Sequence, residues 1–515
     1  MTKNKNLIIG LLSLLFIFIY FFSRLQNLTS VPVFGDEAIY IRWSQIIKNI
    51  ETLRFIPQTD GKQPLFMWLT AGIFQFFNDP LIAGRMVSVF AGFGSLVGIF
   101  FLSVILFPTE KKNKNPLLFI QENIYKNYHF GFLNCFLYLS FPFTFFFDRM
   151  SLPDNLLSFF SILSLFFSVL LAYFPRLDIS LVLGGILGIS WLTKSPAIYF
   201  IALSYLTFFL INIKKINYKF LLYPTISALL AFAIYNILRL GPQFHMIAIR
   251  NKDYIWSLSE IIKHPLDPLT PHLKDTFQIY FAYISLPILI SAIFGFIVYI
   301  FNNKHKNYIS LLIVFFWCFL PILSNAAMAK VFTARYILYT IPSLIILISF
   351  GLFSLKKFFK NYLFYIFFLL FISSFNFIWI YKISTNPFLV KLPSTETGYT
   401  SDWTSGWGIK EASQYLIQKS QTANVIVGTE GAFGTLPDGL QIYTNQIDHL
   451  TVFGVGLDFK QIPYKLIDAR QHGDDVYILM NKSRLLLTDV EFRKLNLIAE
   501  YPKPLNDKLL LLQLK

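Results

Sequence analysis

Apolar residues in this chain come in long runs rather than in alternation. From the N-terminus to Tyr381, stretches of Leu, Ile, Phe and Val repeat with short polar breaks between them. A helix that crosses a bilayer needs ~20 mostly apolar residues. Eleven runs approach that length: 7–23, 86–107, 130–147, 155–173, 180–194, 196–213, 220–239, 277–301, 308–324, 336–355 and 362–381. Only Lys194 and Pro196 divide 180–213 into two. After Tyr381 the pattern changes. Glu411 to Ser420 predicts a short helix. Asn424–Gly428, Leu450–Phe453, Val476–Met480 and Leu509–Leu514 predict strands, with helical stretches between them. Short apolar strands that alternate with helices form an α/β layer. The expected fold class is therefore a polytopic α-helical membrane domain over residues 1–381, followed by a small α/β domain over 382–515.

Composition supports lipid as the solvent of the first part. Of 515 residues, 55% are hydrophobic, 14% are charged and 59 are Phe. Soluble domains carry about 25% charged residues. The net charge is +16, yet residues 382–515 hold 14 basic and 14 acidic side chains, so the excess lies wholly in the apolar part. A basic excess on a soluble chain suggests nucleic acid. Here it marks cytoplasmic loops, because such loops are enriched in Lys and Arg, and no nucleic-acid partner is expected. With the N-terminus inside, every inside connection is basic. They hold Lys111, Lys112, Lys114 and Lys126, then Arg176, then Lys214, Lys215 and Lys219, then Lys304 and Lys306, then Lys356, Lys357 and Lys360. An odd number of spans places 382–515 outside, and the expected location is the cytoplasmic membrane. Phe21-Phe22-Ser23-Arg24 offers no small-residue cleavage site, so the first run reads as an anchor. Cys135 and Cys318 both lie inside apolar runs and read as neither disulfide nor metal ligands.

The unusual polar residues gather on the outer side, in 24–85, in 240–276 and in short connections. Asp36 and Glu37 follow the first span, and adjacent carboxylates beside a membrane are costly unless solvated or used. Asp36 is expected to cap a helix running through Ile50, with Glu37 and Tyr40 behind it. That helix is amphipathic and reads as lying along the interface. Capping leaves Asp36 available as a base. Lys62 precedes Pro64 and an apolar helix, where a phosphate can meet an ammonium and helix-terminal N–H groups; a headgroup-level anchor is the plainer alternative. Asp148, Arg149 and Asp154 crowd one tight turn. An internal Asp–Arg pair and an N-cap by Asp154 would explain them structurally. Lys194 and Arg335 sit at span ends. Single cations there are usually anchors, but Lys62, Arg149, Lys194 and Arg335 together run against the inside bias and suggest an anionic headgroup site. Gly428–Gly434 follows a strand but lacks Gly-Lys-[Ser/Thr] and has the wrong dinucleotide spacing, so it reads as a turn.

Five ordered motifs carry a resemblance: Asp36-Glu37-Ala38, the Lys62-Gln-Pro-Leu-Phe-x-Trp-Leu run, Arg149-x4-Asp154, Leu192-Thr-Lys194-Ser-Pro and Arg335-Tyr-x-Leu. Residues 1–381 resemble bacterial GT-C membrane glycosyltransferases of the protein O-mannosyltransferase and aminoarabinose transferase superfamily. The tail, with Asp402–Glu411 and Val425–Gly431, is similar to the outer domain of bacterial members. The resemblance implies a GT-C fold of about eleven spans with interfacial helices in the first outer loop. It also implies a polyprenyl-phosphate sugar donor, a lipid, glycan or protein acceptor, and transfer on the outer face with inversion. By position, Asp36 is the implied base and Lys62 the phosphate-contacting lysine. Asp154 is a second acidic candidate. Arg149, Lys194 and Arg335 are the remaining donor-phosphate candidates, and Glu37 and Tyr40 support Asp36. Gln63 replaces the first proline of the lysine motif. Gly61 stands where some members carry an acidic residue near a metal, so a divalent metal stays open and is not required.

The chemistry agrees. Charge builds on the leaving phosphate, and preplaced cations stabilise it. An acceptor hydroxyl needs a base within hydrogen-bond reach. The donor brings its own activation and anchor, so no nucleotide fold is needed. The rival is a transporter or permease for a lipid-linked or anionic substrate, which calls for midplane charges and an internal repeat.

Overall fold

A computed structural model describes residues 2–108, 115–213, 218–302, 307–457 and 460–515. Of the basic loop residues above, Lys111, Lys112, Lys114, Lys214, Lys215, Lys304 and Lys306 lie outside the described residues. The chain divides into two compact units. The first contains Met1–Gln26, Phe55–Phe66 and Met86–Tyr381; the second contains Asn27–Arg54, Met67–Arg85 and Lys382–Lys515. Two segments of the loop after the first span thus belong with the C-terminal domain.

The protein is a polytopic α-helical membrane protein. Among the described residues, seven helices are long and apolar enough to cross a membrane: Lys5–Leu25, Pro80–Leu106, Pro153–Tyr173, Ser195–Asn212, Leu221–Leu240, Tyr308–Met328 and Ala334–Phe358. Two bent pairs raise the number to nine. They are Leu269–Tyr283 with Leu286–Phe301, at 107°, and Tyr362–Ile372 with Ser374–Thr385, at 48°. The other two of the eleven runs are shorter or broken. Run 180–194 falls on the helix Leu177–Thr193. Run 130–147 is split because Pro142 pushes Phe141 out of the helical region, to φ −77 and ψ 124, between the helices Pro116–Ser140 and Pro142–Phe147.

The two bends satisfy one another. Ser285 N donates to Asn376 Oδ1 at 3.1 Å, and Ser285 Oγ donates to the Ile372 carbonyl at 2.7 Å. Backbone groups freed at a break in lipid must find such partners. Elsewhere, small residues set helix approach. Ser180, Gly184 and Gly188 recur every four residues on Leu177–Thr193 and face the helix Tyr218–Tyr235. A Cβ on Gly184 would lie 2.8 Å from the Ser227 carbonyl oxygen, and one on Gly188 would lie 2.7 Å from Ile234 Cβ. Close backbones of this kind let packing drive association where lipid offers no hydrophobic force.

The second unit holds a five-stranded sheet of β1 (Val425–Thr429), β2 (Leu450–Gly454), β3 (Asp475–Asn481), β4 (Leu495–Pro502) and β5 (Lys508–Leu514), in the order β2-β1-β3-β5-β4. β1 runs parallel to β2 and β3, while β5 is antiparallel to β3 and β4. Four strands match the expected apolar runs. β4 was not expected, since its edge position tolerates Asn496, Glu500 and Pro502 and breaks the apolar pattern. The helix Gly35–Asn49 also belongs here. Ala38 and Ile41 join Val33, Leu81, Ile409, Leu416, Val427 and Leu440 in one buried cluster. This face of the helix is therefore occupied by protein rather than left to lipid.

Candidate active site

The first unit brings several sequence-predicted residues together. Asp154 lies in the first turn of the helix Pro153–Tyr173, where Leu152 and not Asp154 holds the N-cap position. Lys194 follows the last turn of Leu177–Thr193, which Pro196 prevents from continuing. A carboxylate at a helix start and an ammonium at a helix end each complement the helix dipole. Here the two also meet: Lys194 Nζ donates to Asp154 Oδ1 at 2.5 Å. Asp154 is 2% exposed, and its Oδ2 has no hydrogen-bond partner among the described residues. The Lys194 ammonium lies 4.7 Å from the Tyr336 ring centroid, and the Arg335 guanidinium lies 5.3 Å from the same ring. Asn325 Nδ2 holds the Tyr336 carbonyl at 3.1 Å and Tyr339 Oη at 3.0 Å. Two cations thus flank one tyrosine ring, and one of them also holds a half-satisfied carboxylate.

Lys62 approaches this group through its neighbour. Gln63 Nε2 donates to Ser195 Oγ at 2.7 Å, tying the residue after Lys62 to the residue after Lys194. Lys62 Nζ donates to Tyr254 Oη at 3.0 Å and lies 3.9 Å from an Asp60 oxygen. Asp60 in turn holds Arg250 at 2.5 Å. The turn between Asp60 and Lys62 depends on Gly61, at φ +67, where a Cβ would lie 2.6 Å from Arg250 Cβ. An acidic side chain at that position has no room on this backbone. Pro64 immediately precedes the helix Leu65–Ile73 rather than opening it.

Arg149 and Asp148 take other partners. Arg149 donates to the Gln26 carbonyl at 3.1 Å and lies over the Phe145 ring. Asp148 pairs with Arg24 at 3.2 Å instead of with its neighbour Arg149, and both side chains of that pair are buried. Tyr138 Oη donates to the other Asp148 oxygen at 3.0 Å. This cluster holds the end of the first span against the Asp148 turn.

Asp36, Glu37 and Tyr40 lie in the second unit, on the first turns of Gly35–Asn49. Phe34 is the N-cap residue, so Asp36 is not the cap. Glu37 closes the helix start by accepting from Phe34 N at 3.0 Å. Its two oxygens also receive Arg85, at 2.9 Å from Nε and 2.7 Å from a terminal nitrogen. Arg85 spends its remaining donors on the carbonyls of Leu28, Val31 and Pro32. Glu37 is fully buried and committed, whereas Asp36 is half-buried. Tyr40 is buried beside Trp43. Gly428–Gly434 behaves as a structural turn. Gly431 N donates to the Gly456 carbonyl, Gly434 N to Asp438, and Glu430 accepts from Asn481 N at 2.9 Å.

No family model matches the chain, and no curated protein matches it. Solved structures do. ArnT from Cupriavidus metallidurans in its apo state aligns with a TM-score of 0.56 and 13% identity, over 98% of this chain and 97% of that one. The same protein bound to undecaprenyl phosphate aligns with a TM-score of 0.54 and 14% identity, over the same shares. The chain has the GT-C fold. Within this GT-C fold, the partners that sequence reasoning missed are Arg85, Asp60, Arg250 and Tyr254. Arg85 reaches Glu37, Tyr254 reaches Lys62 and Arg250 reaches Asp60 from far along the chain, so no local motif signals them; Asp60 and Tyr336 lie within two residues of Lys62 and Arg335, which were already singled out. Among the described residues, no three His, Cys, Asp or Glu side chains converge to share an ion. An apolar cavity of about 570 Å³ lies among Leu286–Phe301, Tyr308–Met328 and Ile341–Leu355, and none of the candidate site residues lines it.

Proposed function

We propose that this chain is a membrane glycosyltransferase. It transfers a sugar from a polyprenyl-phosphate donor to a lipid, glycan or protein acceptor on the outer face of the cytoplasmic membrane, with inversion. The observation that carries the reading is the near-complete alignment with ArnT bound to undecaprenyl phosphate. The cations Lys62, Lys194 and Arg335 add a site of the right sign in the first unit. In this reading they hold the donor phosphate and stabilise the charge that grows on it as the glycosidic bond breaks. Asp36 takes the acceptor proton as the acceptor oxygen attacks the anomeric carbon from the opposite face. Glu37 and Arg85 hold the turn that presents Asp36. Arg149 buttresses the first span.

Purified protein in lipid nanodiscs, given radiolabelled polyprenyl-phosphate hexoses and pentoses with envelope extract, tests this directly. Label should pass from the donor to an extract component, with the anomeric configuration inverted. Release of no label from any donor, alongside uptake of labelled lipid into proteoliposomes, would replace this reading with the transporter.

A further inference from the structure

The second unit contains a buried amine that the proposed chemistry does not use. Lys503 lies between β4 and β5 and is 5% exposed. Its Nζ donates to the Ser405 carbonyl at 2.6 Å and reaches the Asp402 carbonyl at 3.5 Å. Lysine is seldom buried this deeply unless it is held. The segment it grips is also where the Asp36 turn is fastened. Phe34 and Ser405 form an antiparallel bridge. Gly35 N donates to the Thr404 carbonyl at 3.0 Å, and Gly406 N donates to the Val33 carbonyl at 2.8 Å. Thr435 Oγ1 donates to that same Thr404 carbonyl at 3.0 Å. On the adjoining residue, the Arg484 guanidinium stacks 3.7 Å from the Trp403 ring centroid. Asp36 is the next residue after Gly35, at the start of the helix.

We propose that Lys503 is a positioning residue for the transfer reaction: it fixes residues 402–406, which fix residues 33–35 and so aim the Asp36 carboxylate. This rests on the reading of Asp36 as the base. A purely packing role at this place would be met by an apolar side chain, without the cost of a buried charge. Burial pushes the Lys503 ammonium down to about 8, with Asp507, Glu430 and Asp402 opposing the shift and Arg484 adding to it. The sign follows. The unfolded lysine keeps its proton to about 10.5, so the folded state is penalised for this charge below about pH 8, and the penalty is relieved as pH rises from 8 towards 10.5. The grip on the Ser405 carbonyl, which is strongest when the donor is charged, weakens as pH rises through about 8, where the folded lysine loses its proton.

The experiment compares full-length wild type, Lys503→Met and Lys503→Arg. Amide exchange is read at Gly35 and Gly406, with Val427 and Ile478 in the sheet as internal controls. Lys503→Met should speed exchange at Gly35 and Gly406 and leave the sheet protected. Its turnover with radiolabelled polyprenyl-phosphate sugar should fall by up to about 10²-fold, the cost of a reacting group displaced by about 1 Å, while undecaprenyl-phosphate binding stays unchanged. Lys503→Arg should restore part of the rate. Wild-type turnover should decline as pH rises through about 8, and Lys503→Arg should lack that decline. Unchanged exchange at Gly35 and Gly406 in Lys503→Met overturns the proposal, as does wild-type turnover in that variant. If wild type transfers no sugar from any donor, the glycosyltransferase reading fails, and the exchange measurement alone decides whether Lys503 holds the turn.

Discussion

In the second unit, Glu37 has both carboxylate oxygens filled by Arg85, and Arg85 fills its other donors with three backbone carbonyls. In the first unit, Asp154 gives one oxygen to Lys194 and, among the described residues, keeps the other without a hydrogen bond. Lys194 is also partly open, with its side chain 23% exposed against 1% for Arg85. Both pairs join a cation to a carboxylate in the first turn of a helix, yet they are finished differently. A pair whose every lone pair and proton is used makes a rigid joint and has nothing left for a ligand. A pair with an unused oxygen and an accessible ammonium is incomplete as a joint: the ammonium keeps donors that a phosphate can accept, and the free carboxylate oxygen can accept from a hydroxyl. We propose that saturation separates the residues that hold this structure from those placed to meet a substrate.

The largest test of that distinction compares two neighbours. Asp36→Asn keeps the shape of the side chain and removes its basicity. Turnover should fall by roughly 10²–10⁴-fold, the contribution of a positioned base, with undecaprenyl-phosphate binding and thermal stability retained. A well-folded Asp36→Asn protein with full turnover would remove Asp36 as the base and leave Asp154 as the next candidate.

Arg85→Met should act on stability instead. It strands the Glu37 carboxylate in a dry site, and breaking such a buried pair costs about 3–5 kcal/mol. Denaturant titration of the full chain measures this. A loss under 1 kcal/mol would mean that saturation does not mark a structural joint.

Lys62→Ala should do the reverse. Its ammonium is partly exposed and held mainly by Tyr254, so stability should change little. Undecaprenyl-phosphate binding should weaken by about 1.5–3 kcal/mol, the worth of a hydrogen bond to a charged group, and turnover should fall with it. Equal stability loss and unchanged lipid binding would make Lys62 an anchor.

The smallest effect is expected at Gly61→Ala. A left-handed backbone costs a residue with a Cβ about 1–2 kcal/mol, and the Cβ would press on Arg250. Melting temperature should drop modestly, and lipid binding should weaken only if the Lys62 turn shifts. Wild-type stability in this variant would show that the turn relaxes freely.

Much of the fold was legible because lipid imposes a simple demand. Each of the eleven apolar runs lies on helical structure, and four of the five strands fall on short apolar segments. The excess over the seven to nine spans arose where backbone geometry intervenes. Pro142 divides one run, and Ser285 with Pro287 bends another, which hydropathy cannot register because a broken helix and a straight one have the same composition. β4 escaped notice because an edge strand need not be apolar. Among the candidate residues, Lys194 and Arg335 stood out in the sequence as charges at the ends of apolar runs, and Asp36 and Lys62 as charges in the segment between the first two runs, where a charge beside a membrane is costly and needs a reason.

What the sequence by itself determined was the solvent of each part, the positions of the long helices and the polar residues that interrupt them, since those follow from local composition and the length of a membrane span. Tertiary structure alone decided the partners. It paired Asp148 with Arg24 rather than Arg149, saturated Glu37 with Arg85, set Lys194 against Asp154 and gave the Ala38 face of Gly35–Asn49 to the sheet domain. Those choices depend on contacts between residues 40 to 400 positions apart, and a charge in a sequence carries no record of which distant opposite charge will neutralise it. Only packing, which brings certain helix ends together and excludes water from some of them, settles which ion pairs are completed and which are left open.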